Sequence, residues 1–261
     1  MLPVTMTRSD LLRGVAELSP WFYPFDFGEG LIAPIEMPPE VASIHQTRLE
    51  MLEAQVKGHF GDRLRSVECL DVGCNEGFFS LALSRLTRRV TAVDPRAENL
   101  RRARFVKEAL DVDNIDLKQG RVETVARDVG RTYDLTLLFG VLYHVEDPML
   151  CLRQMAAVTG DLCLIETQVV DEVEGYAEWG SRDWKHPFHG ILALIDDSRD
   201  VVRDARQTGL TSLSACPSVK ALLYMLEVAG FARAKILKPP PGAYEQHARG
   251  QRVVCAAYKR A

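Results

Sequence analysis

Leu70-Asp71-Val72-Gly73-Cys74-Asn75-Glu76-Gly77-Phe78-Phe79 is the stretch on which the fold turns. Val67 to Val72 is a short apolar run of strand character, and Gly77 to Leu86 reads as a helix. Between them, Gly73 and Gly77 permit a tight bend and let backbone come close to a ligand. A strand that bends sharply into a helix opens a βαβ unit.

Outward from this bend the alternation continues. Strands are expected at Arg89 to Val93, Ile115 to Gln119, Tyr133 to Phe139, Leu162 to Thr167, Ala232 to Leu237 and Arg252 to Tyr258. Helices are expected at Ala97 to Leu110, at Pro148 to Val158 with proline in its first turn, and at Ser218 to Ala229 with Gly230 closing it. Such alternation implies a mainly parallel sheet with helices on both faces, an α/β Rossmann-like fold of seven strands. Two regions break the rhythm. Residues 1–62 form an N-terminal extension with helical stretches at Asp10 to Leu18 and Glu40 to Phe60, separated by the aromatic segment Trp21 to Gly30. Residues 171–217 form a small cap insertion within the domain spanning 63–261.

The 261 residues are 47% hydrophobic, enough for one sizeable core. A formal net charge of -4 argues against a generally basic nucleic-acid binder. No run approaches the roughly 20 apolar residues that span a bilayer, and Met1 to Asp10 lacks the pattern of a secretory signal. The six cysteines are scattered without a Cys-x-x-Cys pair, which suits buried thiols in a reducing cytoplasm. A cytoplasmic location without membrane attachment is the expectation, as a monomer or homodimer.

Ligands of open α/β sheets bind beyond the carboxyl ends of the strands. Asp94, in Val93-Asp94-Pro95, lies 23 residues after Asp71, where an acid can take both hydroxyls of a ribose. Arg96 follows closely. A dinucleotide fingerprint fails, because the positions that should be glycine hold Gly73, Asn75 and Phe78. Asp71 and Glu76 would repel a pyrophosphate and suit a ligand bearing an ammonium and a sulfonium, which S-adenosylmethionine offers. A plain helix cap by Asn75 or Glu76 is the alternative.

These residues resemble the class I S-adenosylmethionine-dependent methyltransferases over roughly residues 65 to 258. Asp71 to Gly77 resembles their first motif, with Asn75 in place of the middle glycine, and Val93-Asp94-Pro95 resembles their ribose-holding motif. Within that superfamily, Phe139-Gly140-Val141-Leu142-Tyr143-His144, Asp147-Pro148, Ile165-Glu166-Thr167 and Leu226 to Phe231 are similar to the tRNA wobble-uridine (carboxy)methyltransferases. The resemblance implies the class I methyltransferase fold and S-adenosylmethionine as cofactor. It implies cofactor contacts from Asp71, Gly73, Asn75, Gly77, Asp94 and Arg96, with Val122 and Glu123 along the adenine and Phe139 and Tyr143 facing the cofactor. The lysine-containing segment of that group is missing from Trp21 to Phe27, and Arg249 and Arg252 are the candidates for its late arginine. Ordinary S-adenosylmethionine is therefore expected rather than the carboxylated form.

The insertion supplies the candidate acceptor contacts Tyr176, Trp179, Trp184 and His186, since aromatic residues with a few polar groups suit a pocket wall. Packing of a small lid would use the same residues. His144, Glu166 and His189 are the candidate catalytic groups, each with a structural alternative. The pair His186-x-x-His189 is too weak a signal for a metal, and none is expected. Phe22, Tyr23, Phe25 and Phe27 suit either a lid over the cofactor or a plug against the sheet. Arg96, Arg101, Arg102, Arg104 and Lys107 could bind RNA phosphates or form a solvated helix face.

Three functions follow. The first is methyl transfer to an O or N atom of a small biosynthetic acceptor. The second is tRNA wobble-uridine methylation, and the third is a catalytically silent cofactor-binding module.

Overall fold

The computed structural model describes residues 6–178, 185–199 and 209–260. Seven strands form one sheet: β1 (Glu68–Val72), β2 (Arg89–Asp94), β3 (Ile115–Gln119), β4 (Tyr133–Phe139), β5 (Thr159–Gln168), β10 (Arg233–Ile236) and β11 (Arg252–Tyr258). Their order is β10-β11-β5-β4-β1-β2-β3. β11 runs antiparallel to both neighbours, and the other pairings are parallel. The chain leaves β1 toward β2 and β3, then returns to β4 on the other side. The switch point therefore lies between β1 and β4, where such sheets open a crevice.

Local chemistry explains the element ends. Helix α6 (Pro148–Val158) begins at Pro148, and the Asp147 carboxylate accepts the Leu150 N–H at 2.9 Å. The Ser218 hydroxyl caps α7 (Val219–Ala229), which stops at Gly230 in the left-handed region, φ 105°. The central strands β1, β4, β5 and β11 are buried on both faces, which is why they read as continuous apolar runs.

Two hydrophobic layers flank the sheet. One gathers Val125, of α5 (Val125–Val129), with Leu152 and Met155 of α6 and Leu222 and Leu226 of α7. The other joins β1, β4 and β11 to α2 (Pro39–Phe60), α3 (Phe78–Ser84), α4 (Ala97–Ala109) and the N-terminal aromatic segment that follows α1 (Arg8–Glu17). Trp21, Tyr23, Phe25 and Phe27 are buried, and Tyr23 stacks on Phe78 with centroids 4.8 Å apart. Phe25 and Phe27 pack into the core beside the sheet, whereas Phe22 is half-buried and lines a cavity together with Tyr23.

The insertion holds two antiparallel ribbons, which its sequence did not announce. β6 (Tyr176–Glu178) pairs with β7 (Lys185–Pro187), and β8 (Leu192–Asp196) pairs with β9 (Leu213–Pro217). All six cysteines are free and buried.

Candidate active site

The bend after β1 curls over the end of β2. The backbone N–H groups of Gly73 and Cys74 both donate to the Val93 carbonyl, at 2.8 and 3.0 Å. Gly73 has φ +76°, and a Cβ there would come within 2.3 Å of the Val141 side chain. Only glycine fits this bend. Asn75 is also left-handed, at φ 50°, and its N–H donates to Asp94 Oδ2 at 2.9 Å.

Asp94 is buried at the tip of β2. Its Oδ1 accepts the Arg96 N–H at 2.9 Å and the Asn99 amide at 3.0 Å. Burial holds its carboxyl above the usual aspartate range, and the Arg96 and Asn75 N–H groups offset only part of that rise. Three donors leave acceptor capacity on a carboxylate that has about four lone-pair sites.

A cavity of about 330 Å³ opens against these groups. Gly73, Asn75, Asp94, Arg96, Val122 and Glu123 line it, so six of the expected cofactor residues come together there. The insertion contributes Gly209, Leu210 and Thr211 to its rim. A second cavity, of about 280 Å³, lies toward β5 and β11. Phe139 and Tyr143 line this one, with Phe22, Tyr23, Met37, Val41 and Ile44 as an apolar wall and Arg48, Gln168, Gln246 and Arg252 as polar groups. Gly73, Asn75, Gly140 and His144 line both cavities.

Several expectations need correction. Asp71 and Glu76 direct their carboxylates to protein partners, and Asp71, Glu76 and Gly77 line neither of these two cavities. The Asp71 carboxylate accepts the Ser80 hydroxyl at 2.6 Å beneath α3, and burial raises its pKa to about 6. Gly77 packs its Cα face against Ala103. Glu76 accepts the backbone N–H groups of Phe22 and Tyr23, at 3.0 to 3.1 Å, with the Arg102 guanidinium 3.7 Å away. Arg102, one of the basic run on α4, is buried and donates to the Leu18 carbonyl, so it belongs to this joint rather than to a surface patch.

Glu166 is not a catalytic acid or base facing a cavity. It is fully buried, with Arg48 and Arg252 each 2.9 Å from its carboxylate oxygens. Burial would raise its pKa, but the two guanidiniums and His247 outweigh it and hold the group well below the usual carboxylate range. His189 stacks on Tyr224, centroids 4.5 Å apart, and lines neither of the two cavities. Tyr176 and His186 sit exposed on the β6–β7 ribbon, with the Lys185 ammonium over the Tyr176 ring. They too are absent from both linings, and Trp179 and Trp184 lie outside the described residues. Among the described residues, the second cavity is walled by the N-terminal segment and the stretch before β11, including α8 (Glu245–Ala248), instead of by the insertion.

Arg48 and the wall of α2 were missed. Their signal was present but faint: Ile44, Arg48 and Leu52 fall at helical spacing on one buried face, so an arginine sits inside an apolar stripe.

The sheet order, the switch-point crevice and the glycine bend define the class I methyltransferase fold. Residues 65–172 match the family described as a methyltransferase domain. A ubiquinone biosynthesis O-methyltransferase from Azorhizobium caulinodans is 30% identical over 156 residues, covering 58% of this chain and 57% of the relative. The chain thus spans less than two thirds of that relative's length. The N-terminal domain of EvdMO1, crystallised in the presence of SAH and D-fucose, shares 26% identity and a TM-score of 0.73, covering 98% of both chains. The EvdMO1 structure matches at a TM-score of 0.60 and 24% identity, covering 98% of this chain and 48% of that one. Residues 65–172 of this protein therefore match a methyltransferase domain, set within the class I methyltransferase fold. The residues present fit the cofactor: a carboxylate with spare acceptor capacity faces the cavity beside a bend that a single Cβ would fill.

Proposed function

We propose that the protein transfers a methyl group to a hydroxyl oxygen of a small-molecule acceptor. When bound, S-adenosylmethionine supplies an electrophilic methyl on a cationic sulfur. Asp94 would hold its ribose, with Val122 and Glu123 beside its adenine and the Gly73 bend against its chain.

The observation that carries this reading is the wall common to both cavities, made by Gly73, Asn75, Gly140 and His144. A ligand in one cavity ends where a ligand in the other begins. Holding two reactants in that relation is worth an effective molarity on the order of 10⁵ M or more when the alignment is good. The aromatic and aliphatic side chains of the second cavity keep water from the reacting atoms.

His144 stands in the common wall, and its Nδ1 is buried without a hydrogen-bond partner among the described residues. Burial holds its pKa down to about 4, Asp197 opposes this, and Arg252 and Arg96 add to it. The ring is therefore uncharged at neutral pH and able to accept the hydroxyl proton. A weak base is enough, because an oxygen that gains a methyl group makes its own proton strongly acidic.

The choice of a small hydroxylated acceptor draws support from the O-methyltransferase relatives and from the D-fucose used with the EvdMO1 domain. The test is transfer of labelled methyl from S-adenosylmethionine into a metabolite extract and, separately, into bulk tRNA. Label in small hydroxylated compounds is expected. Label in tRNA alone would overturn the acceptor class, and binding of S-adenosylhomocysteine without turnover on either would point to a silent module.

A further inference from the structure

The second cavity carries a positive charge that no carboxylate among its described lining residues balances. Arg48 and Arg252 both line it and are 4% and 5% exposed. Their shared partner is a single carboxylate, Glu166, so two guanidiniums and one carboxylate leave a net charge of +1 even with His247 uncharged. No aspartate or glutamate is among the described residues that line the cavity. Buried excess charge is costly unless an opposite charge meets it.

The donor groups are also aligned. Arg252 Nη1 bridges Glu166 Oε1 at 2.9 Å and the Tyr143 hydroxyl at 3.2 Å, and its Nε donates to Gln246 at 3.1 Å. The Tyr143 hydroxyl and both terminal nitrogens of Arg48 lie 3.6 to 3.9 Å from where a Cβ on Gly140 would be. They therefore converge on the ridge between the cavities. Arg48 Nε is buried with no hydrogen-bond partner among the described residues. Resting on the methyl-transfer reading above, we infer that the Arg48–Arg252–Tyr143 floor seats a carboxylate of the acceptor, which is a hydroxylated monocarboxylic acid.

A monoanion matches the surplus of one charge, whereas a phosphate dianion exceeds it. Planar guanidinium forks suit a planar carboxylate. Phe22, Met37, Val41 and Ile44 offer the acid's carbon skeleton an apolar wall. The methyl donor has a carboxylate of its own, but Arg252 stands on β11, beyond β5 and β4 from β1. At about 4.8 Å per strand the backbones of β11 and β1 are roughly 14 Å apart across the sheet. The Arg48 and Arg252 side chains nonetheless reach back to the Gly140 ridge, so competition with the donor product decides whose carboxylate they seat.

The experiment uses the full chain loaded with S-adenosylhomocysteine and titrated calorimetrically with matched probes, benzoate against benzamide and D-glucuronate against D-glucose. At least one acid should bind about tenfold or more tighter than its neutral partner, the worth of charge-assisted hydrogen bonds. Arg252→Gln, which leaves Arg48 paired with Glu166, should abolish that preference, and Arg252→Lys should keep part of it. S-adenosylhomocysteine affinity should stay within about threefold in both variants, since neither removes a donor-side contact. Absence of an acid preference in both pairs overturns the inference. So does competition between acid and S-adenosylhomocysteine, or a tenfold loss of that ligand in Arg252→Gln, because the seat would then belong to the donor. Failure of S-adenosylhomocysteine to bind the unaltered chain would instead overturn the donor reading, and this one with it.

Discussion

The Glu76 carboxylate receives the backbone N–H of Phe22, 54 positions earlier in the chain, with its two oxygens at 3.1 and 3.0 Å. Glu76 belongs to the bend that borders the first cavity, and Phe22 to the wall of the second. One buried side chain thus ties the bend at the first cavity to the wall of the second, and the N-terminal aromatics packed around it hold the tie in place.

Glu76→Ala should therefore act at two levels. It leaves two backbone N–H groups without their acceptor and takes the nearby negative charge from the buried Arg102 guanidinium, a loss of about 3 kcal/mol or more. Urea unfolding should register this as a lower midpoint, with KM for the acceptor raised more than kcat is lowered. Glu76→Gln keeps one acceptor oxygen and should lose less than half as much stability.

Asp94→Ala should weaken S-adenosylhomocysteine binding by about 100-fold or more, the worth of two charge-assisted hydrogen bonds. Asp94→Asn should retain a fraction of the affinity. Calorimetric affinity within threefold of the original for Asp94→Ala would remove the ribose assignment.

Gly73→Ala should cripple the bend. Its φ of +76° costs an L-residue about 1–2 kcal/mol, and the new methyl meets Val141 at 2.3 Å. Pairing it with Val141→Ala should restore stability lost to the clash but not that lost to backbone strain. A double variant no more stable than Gly73→Ala in thermal unfolding would contradict this.

The pH profile of turnover should lack a limb near 6.5, the ordinary histidine value. With its pKa held at about 4, His144 stays unprotonated from pH 8 down to about 5, so its proton-accepting form is present throughout. His144→Gln should lower kcat by roughly 10²-fold or more, as loss of a general base does. A limb at 6.5 that vanishes in His144→Gln would show that the burial argument fails.

Glu166→Gln should destabilise by about 3–5 kcal/mol at pH 7, because two buried guanidiniums lose their carboxylate. The folded pKa of Glu166 is depressed, so its contribution is present above the unfolded value near 4.3 and disappears as pH falls through the folded one. Chemical denaturation of the parent between pH 6 and 3 should show falling stability, with a shallower fall in Glu166→Gln. A variant as stable as the parent at pH 7 would be incompatible with the buried pair.

Much of the architecture was legible because its causes are local. Ile115–Gln119, Tyr133–Phe139 and Pro148–Val158 fold with the bounds read from the chain, since apolar runs and a helix-opening proline act over a few residues. Gly73 and Asp94 were equally plain, one needing a left-handed bend and the other ending a strand at ribose distance.

The roles of charged side chains were less plain. Asp71 and Glu76 look alike beside the bend, yet one turns under α3 to Ser80 and the other outward to Phe22. Nothing near them in the chain says so.

From the order of its residues alone, this protein acquires a parallel sheet, a glycine bend and an acid one strand over, because backbone propensity and apolar periodicity are short-range. Only the folded chain decides that Arg48 and Arg252, 204 positions apart, meet over Glu166 beneath the second cavity. Charge pairing depends on distance in space, and packing of α2 and β11 against β5 sets that distance.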